Sequence, residues 1–190
     1  MRNSVIWLML VLMGLVCACE SEFAPKPRGY FRLDMPTKSY QRFDSVYPFT
    51  FDYPIYAKVV PYQGGIENKY WMNVEYPKQR ATLHVSYFDV KNDLSKHLEE
   101  SRTLAYKHTV KADAIDEHLV SIPNNRVYGL VYDITGNAAS CLQFYVTDST
   151  RHFIRGALYF NVSPNSDSLA PVMNFIKRDV EKMIENLRWK

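Results

Sequence analysis

The chain has 190 residues, with 23 Lys and Arg against 20 Asp and Glu, three cysteines, 47% hydrophobic and 14% aromatic residues. This composition excludes a disordered chain, which lacks the apolar content to offset its ordering entropy, and the length argues against two packed domains. The net charge of +3 is small and evenly spread, which gives no footprint for nucleic acid.

Arg2 is the only charge before Glu20, and Val5 to Val16 is an uninterrupted apolar run. A membrane-spanning helix needs about 20 residues, so a shorter run behind one basic residue fits the apolar region of an export signal. Val16-Cys17-Ala18-Cys19 follows. It resembles the bacterial lipobox, with an aliphatic residue three places before the acylated cysteine and a small one directly before it. Cys17 sits where a small or hydroxyl residue is commoner. Residues 1–18 therefore read as a lipoprotein signal peptide and Cys19 as the lipidation site; an uncleaved anchor or an ordinary secretory signal is the alternative. Each buried methylene contributes about 0.8 kcal/mol, so two or three acyl chains hold a protein firmly at a bilayer. Residues 19–29 form the tether: Glu20 to Gly29 carries two prolines and no periodicity, and spans at most about 35 Å when fully extended. With Cys17 removed and Cys19 acylated, Cys141 is left without a disulfide partner, and its apolar surroundings mark it as a small buried hydrophobe.

The globular part is residues 30–190. Phe49, Phe51 and Tyr53 alternate with polar residues between Pro48 and Pro54, which is strand spacing. Short strands are expected at Ala57–Pro61 and Trp71–Tyr76, with a turn at Gln63-Gly64-Gly65. Ala81–Phe88 alternates most cleanly. The period then changes: Leu94, Leu98, Ser101, Ala105, His108 and Ala112 mark one face of a helix from Asp93 to Lys111, with Asn92 or Asp93 as cap. Four strands follow, Ala114–Ile122, Arg126–Thr135, Ala138–Thr147 and Arg151–Val162. The joining turns, at Asn124-Asn125, Gly136-Asn137 and Asp148 to Thr150, are too short for anything but antiparallel neighbours. A second helix runs from Ser168 to about Trp189, with Pro171 in its first turn. The fold class is α+β: one domain, a mainly antiparallel sheet flanked by two helices.

The sequence holds no G-x-S-x-G elbow, Walker loop, G-x-G-x-x-G, H-E-x-x-H or C-x-x-C. No catalytic residue, metal site or cofactor is assigned. His84 lies on the polar face of a strand between Thr82 and Ser86, where a base and a hydrogen-bonded surface histidine look alike. His108 falls on the packing face of the first helix and reads best as a buried, hydrogen-bonded histidine. Asp113, Asp116 and Glu117 stand close to Lys107 and Lys111 and read as a solvated charge cluster. There are 14 tyrosines. Ten aromatics from Tyr30 to Tyr62 crowd the first third of the mature chain, either packing over the sheet or facing a partner. Tyr30, Phe31 and Arg32 are the candidate partner surface.

Several blocks carry a family resemblance. Lys26-Pro27-Arg28-Gly29-Tyr30-Phe31-Arg32 after the lipobox, Tyr47-Pro48-Phe49 with Tyr53-Pro54 and Tyr56-Ala57, Ser101 to His108 with Lys111-Ala112, and Arg155 to Phe160 resemble the gliding-motility lipoprotein D (GldD) family of Bacteroidetes. The resemblance implies a lipoprotein of the cell envelope, anchored in a membrane and facing the periplasm. It implies a part in surface gliding and in the type IX secretion system, with other envelope proteins of that machinery as partners. It implies no catalytic residues. Arg155 to Leu187 also resembles the Mog1/PsbP-like fold. Two functions follow as expectations: a non-enzymatic accessory or assembly factor, or an envelope enzyme or small-ligand binder with a site near His84 or His108. A cleft joining His108 to Asp113 or Asp116 would favour the second.

Overall fold

Strand β5 (Ala81–Asp89) shows how the sheet is specified: residues 81, 83, 85 and 87 are buried while those between them are half-buried or exposed, the period of two that a sheet imposes. The computed structural model describes residues 34–63, 69–162 and 166–190, with side chains from 169 onward in the last segment. Residues 1–33 and 64–68 lie outside the described residues, and with them the signal peptide, Cys19, the tether, the Tyr30-Phe31-Arg32 surface and the turn at Gly64-Gly65.

The elements run β1 (Tyr40–Phe43), β2 (Phe49–Pro54), β3 (Lys58–Pro61), β4 (Met72–Tyr76), β5, α1 (Leu94–Tyr106), β6 (Ala112–Ile122), β7 (Val127–Gly136), β8 (Ser140–Thr147), β9 (His152–Phe160), α2 (Ser166–Glu185) and β10 (Arg188–Trp189). Seven strands form one sheet in the order β3-β4-β5-β9-β8-β7-β6, and β1-β2-β10 form a small second one. Every pairing is antiparallel. The α+β architecture read from the sequence is the one observed.

One face of the large sheet carries Leu83, Val85, Phe144, Val146, Ile154 and Leu158. Against it pack Ile176, Val180, Met183 and Leu187 from the end of the chain and Phe49 and Phe51 of β2. The crowded aromatics are structural here: Phe43 stacks on Phe51 at 5.0 Å, Tyr47 meets Phe49 edge-on, and Tyr56 packs on Phe175. Helix α1 covers part of the opposite face. Ala105 joins Tyr132, Ile134 and Ala138 there, and the buried His97 stacks between Phe88 and Phe153.

The structure departs from the sequence reading at element ends. Helix α1 stops at Tyr106, and Lys107–Val110 tighten into a 3-10 turn. Asp93 holds the cap position without capping. Its carboxylate instead accepts from the Lys91 N–H at 2.8 Å and lies 3.4 Å from His97 Nε2. Helix α2 begins at Ser166, two residues early, so Pro171 falls in the second turn. It also ends at Glu185, where Asn186 Nδ2 donates to the Lys182 carbonyl. Arg188 and Trp189 leave as a strand beside β2, because Trp189 Nε1 finds the Arg126 carbonyl at 2.9 Å and its ring stacks on His152. β1 was not foreseen, since only its two ends are partly covered. Gly136 takes φ +96°, and three residues rather than two separate β7 from β8.

Candidate functional site

Among the described residues, the two histidines singled out in the sequence do not come together with carboxylates. His84 stays exposed on β5; its Nδ1 is 2.7 Å from Asn73 Oδ1 and its ring meets Tyr159 edge-on. Partial loss of hydration lowers its pKa. His108 lies in the 3-10 turn after α1, half-buried rather than buried. Burial and then the Arg155 guanidinium lower its pKa. Arg155 NH2 donates to Gln143 Oε1 at 3.3 Å, while Arg155 Nε and Gln143 Nε2 find no acceptor. His108 thus sits beside a cation, the opposite of the carboxylate neighbour that would make it a stronger base.

Asp113, Asp116 and Glu117 lie on or beside exposed positions of β6. Glu117 accepts from Tyr106 OH at 3.0 Å, and Asp116 stands opposite Asp133 of β7. Asp133 pairs with Lys177 of α2. Cys141 is buried, and burial pushes its thiol up to about 12, so it stays protonated and inert. Among the described residues no group of His, Cys, Asp and Glu is placed to hold a metal ion.

Two buried polar clusters fasten the frame. Asp179, 1% exposed, accepts from Lys38 Nζ at 2.5 Å, Tyr40 OH at 2.9 Å and Tyr56 OH at 2.7 Å. Burial, and then those bonds, raise both tyrosines above the ordinary phenol range. His152, also buried, places Nδ1 2.8 Å from Tyr87 OH, which donates to Asp89 at 2.8 Å. Because the phenol proton goes to Asp89, His152 donates from Nδ1.

The far edge of the large sheet is formed by β6. β6 has a neighbour on one side, and among the described residues no strand pairs with its outer edge. A groove of about 380 Å³ runs between that edge and α2, lined by His118, Val120 and Ile122 of β6 and by Lys177, Glu181 and Glu185 of α2. On the opposite side of β6, Leu119 is 80% exposed. Nothing in the sequence pattern brings Glu181 and Glu185 to β6. Their i, i+4, i+8 spacing with Lys177 shows only that the three share one helix face.

The architecture defines an antiparallel sheet domain with a helix on each side, and among the described residues no helix is long and apolar enough to cross a membrane. Residues 20–189 match the family model described as gliding motility lipoprotein GldD, and the chain belongs to that family. The match begins directly after Cys19. No curated protein matches the chain. Among solved structures, the solution structure of cyanobacterial PsbP (CyanoP) from Synechocystis sp. PCC 6803 aligns over 88% of this chain and 100% of its own, with TM-score 0.49 and 12% identity.

Proposed function

We propose that this lipoprotein of the gliding motility system acts without catalysis, as an accessory or assembly factor held at the periplasmic face of an envelope membrane through acylated Cys19. Its partners are other envelope proteins of gliding and of type IX secretion. The observation that carries the reading is the family match over residues 20–189 standing directly behind a lipobox cysteine. The surroundings of the two histidines support it: among the described residues His84 is partnered by Asn73 and Tyr159, and His108 stands beside the Arg155 guanidinium rather than a carboxylate. A tether of at most about 35 Å limits how far the domain can stand from the bilayer.

Replacing Cys19 tests the reading. Cys19→Ala is expected to yield a folded protein that leaves the membrane fraction and fails to restore surface spreading and type IX secretion to cells lacking the native copy. Full gliding and secretion by an unlipidated, released protein would overturn the need for the anchor. Turnover of a cell-wall compound by the purified protein would overturn the non-catalytic role.

A further inference from the structure

We infer that this protein pairs with a second copy of itself through the outer edge of β6, with Leu119 of each copy on a two-fold axis, so that the two large sheets join into one. The inference goes beyond the proposed function and does not depend on it.

The edge is long. β6 has 11 residues, from Ala112 to Ile122, against four in β3 at the other end of the sheet. It contains no proline, and among the described residues no strand pairs with its outer side. A row of backbone donors and acceptors of that length is a template for another strand.

The side chains indicate which strand fits. On the α1 side of the sheet, Tyr145 of β8, Leu130 of β7 and Leu119 of β6 stand side by side in register. Tyr145 and Leu130 are half-buried, and the row ends at Leu119, 80% exposed. A strand presenting leucine at the same level would continue the row, and β6 itself supplies one. In an antiparallel seam between identical strands, a two-fold axis normal to the sheet sets residues equally far before and after the axis opposite one another. An axis through Asp116 or Glu117 sets each carboxylate against its own mate, and one through Ile115 sets Asp113 against Glu117; like charges facing across strands repel. An axis through His118 separates the acids but sets Glu117 against Leu119 and leaves the row unfinished. An axis through Leu119 pairs residues 115–123 of both copies. Leu119 then meets Leu119, His118 meets Val120, Glu117 meets Ser121 and Asp116 meets Ile122, with no like charges opposed. The apolar row runs from Tyr145 of one copy, through two Leu130 and two Leu119, to Tyr145 of the other. Glu181 and Glu185 belong to α2, which packs over β7 and β8, set back from the seam.

The test is cysteine bridging of the full chain in cell membranes, with dioxygen as oxidant and copper phenanthroline as catalyst, read by electrophoresis without reductant. Cys141 is buried and does not compete. Leu119→Cys puts two thiols on the axis, where facing Cα atoms lie about 4.5–5.5 Å apart, within disulfide reach. Glu117→Cys puts the thiols four residues apart along the seam, about 13 Å, which is out of reach. The double variant Glu117→Cys with Ser121→Cys again brings thiol opposite thiol, and within one chain those two positions are too far apart to bridge. Leu119→Cys and the double variant are expected to give about tenfold more disulfide-linked dimer than Glu117→Cys alone. The replaced side chains are exposed, so thermal unfolding should not change. In a density-matched detergent, Leu119→Asp is expected to weaken self-association about tenfold in sedimentation equilibrium, by setting two carboxylates on the axis. The inference is overturned by equal bridging in all variants, by bridging of Glu117→Cys alone, by a Leu119→Cys bridge to a different protein, or by a chain that sediments as a monomer whether or not Leu119 is replaced. None of these readouts uses gliding or secretion, so the seam and the accessory role fail separately.

Discussion

At the scale of single residues, two glycines fix how closely the central strands approach. A Cβ at Gly129 would lie 1.9 Å from the Tyr145 carbonyl oxygen of β8, and one at Gly156 would lie 2.1 Å from the Phe144 ring. Phe144 is buried, so its ring has nowhere to swing, and the β8 backbone can retreat only by giving up its register. Gly156→Ala should cost about 2 kcal/mol through overpacking, and Gly129→Ala about 3 kcal/mol, since backbone yields less than a side chain. Urea unfolding with an unchanged m-value would measure both; a neutral Gly129→Ala would refute the close approach. Sequence periodicity placed both glycines inside strands, but a missing side chain does not say which neighbour fills its place. The same limit hid His97. Its spacing of four and eight from Ser101 and Ala105 marks the true inner stripe of α1, yet a histidine counts as polar until Phe88 and Phe153 are seen around it.

At the scale of elements, the periodic interiors of strands and helices were legible and their ends were not, because ends are decided by tertiary partners. The last helix shows this: Leu187 continues its apolar stripe, but Trp189 gains more from the Arg126 carbonyl and the His152 ring than from another helical turn. β1 was missed for a related reason. It is held by Asp179, 139 positions away from Tyr40, and no local pattern announces such a contact. That carboxylate joins the segment from Lys38 to Tyr56 to the middle of α2. Asp179→Ala should therefore destabilise the domain by about 3 kcal/mol, by stranding the Lys38 charge and two phenols. Asp179→Asn should cost less, since the amide oxygen still accepts one phenol. Denaturant titration of both variants checks the order, and an Asp179→Ala protein as stable as the parent would refute the clamp.

At the scale of the whole molecule, the titrating groups set an acid limit on stability, in two windows. Burial lowers the pKa of His152 below 6.5, outweighing Asp148 and Asp89, which pull the other way. His84 and His108 are lowered as well. A group lowered on folding binds its proton more readily in the unfolded chain, so stability is fully present above pH 6.5 and declines as pH falls towards the folded values. Burial alone would raise Asp148, but the backbone N–H groups of Arg151, His152 and Thr150 together hold it down to about 2 from 3.8. Its contribution is present above pH 3.8 and is lost between there and pH 2. Melting temperature should thus be level near neutrality, fall first below pH 6.5, and fall again below pH 3.8. His152→Gln separates the windows: it should lower the neutral plateau, by losing the Tyr87 bond and the Trp189 stack, and flatten the upper decline without altering the lower one. An unchanged slope between pH 6.5 and 5 in that variant would show that His152 does not govern the upper window.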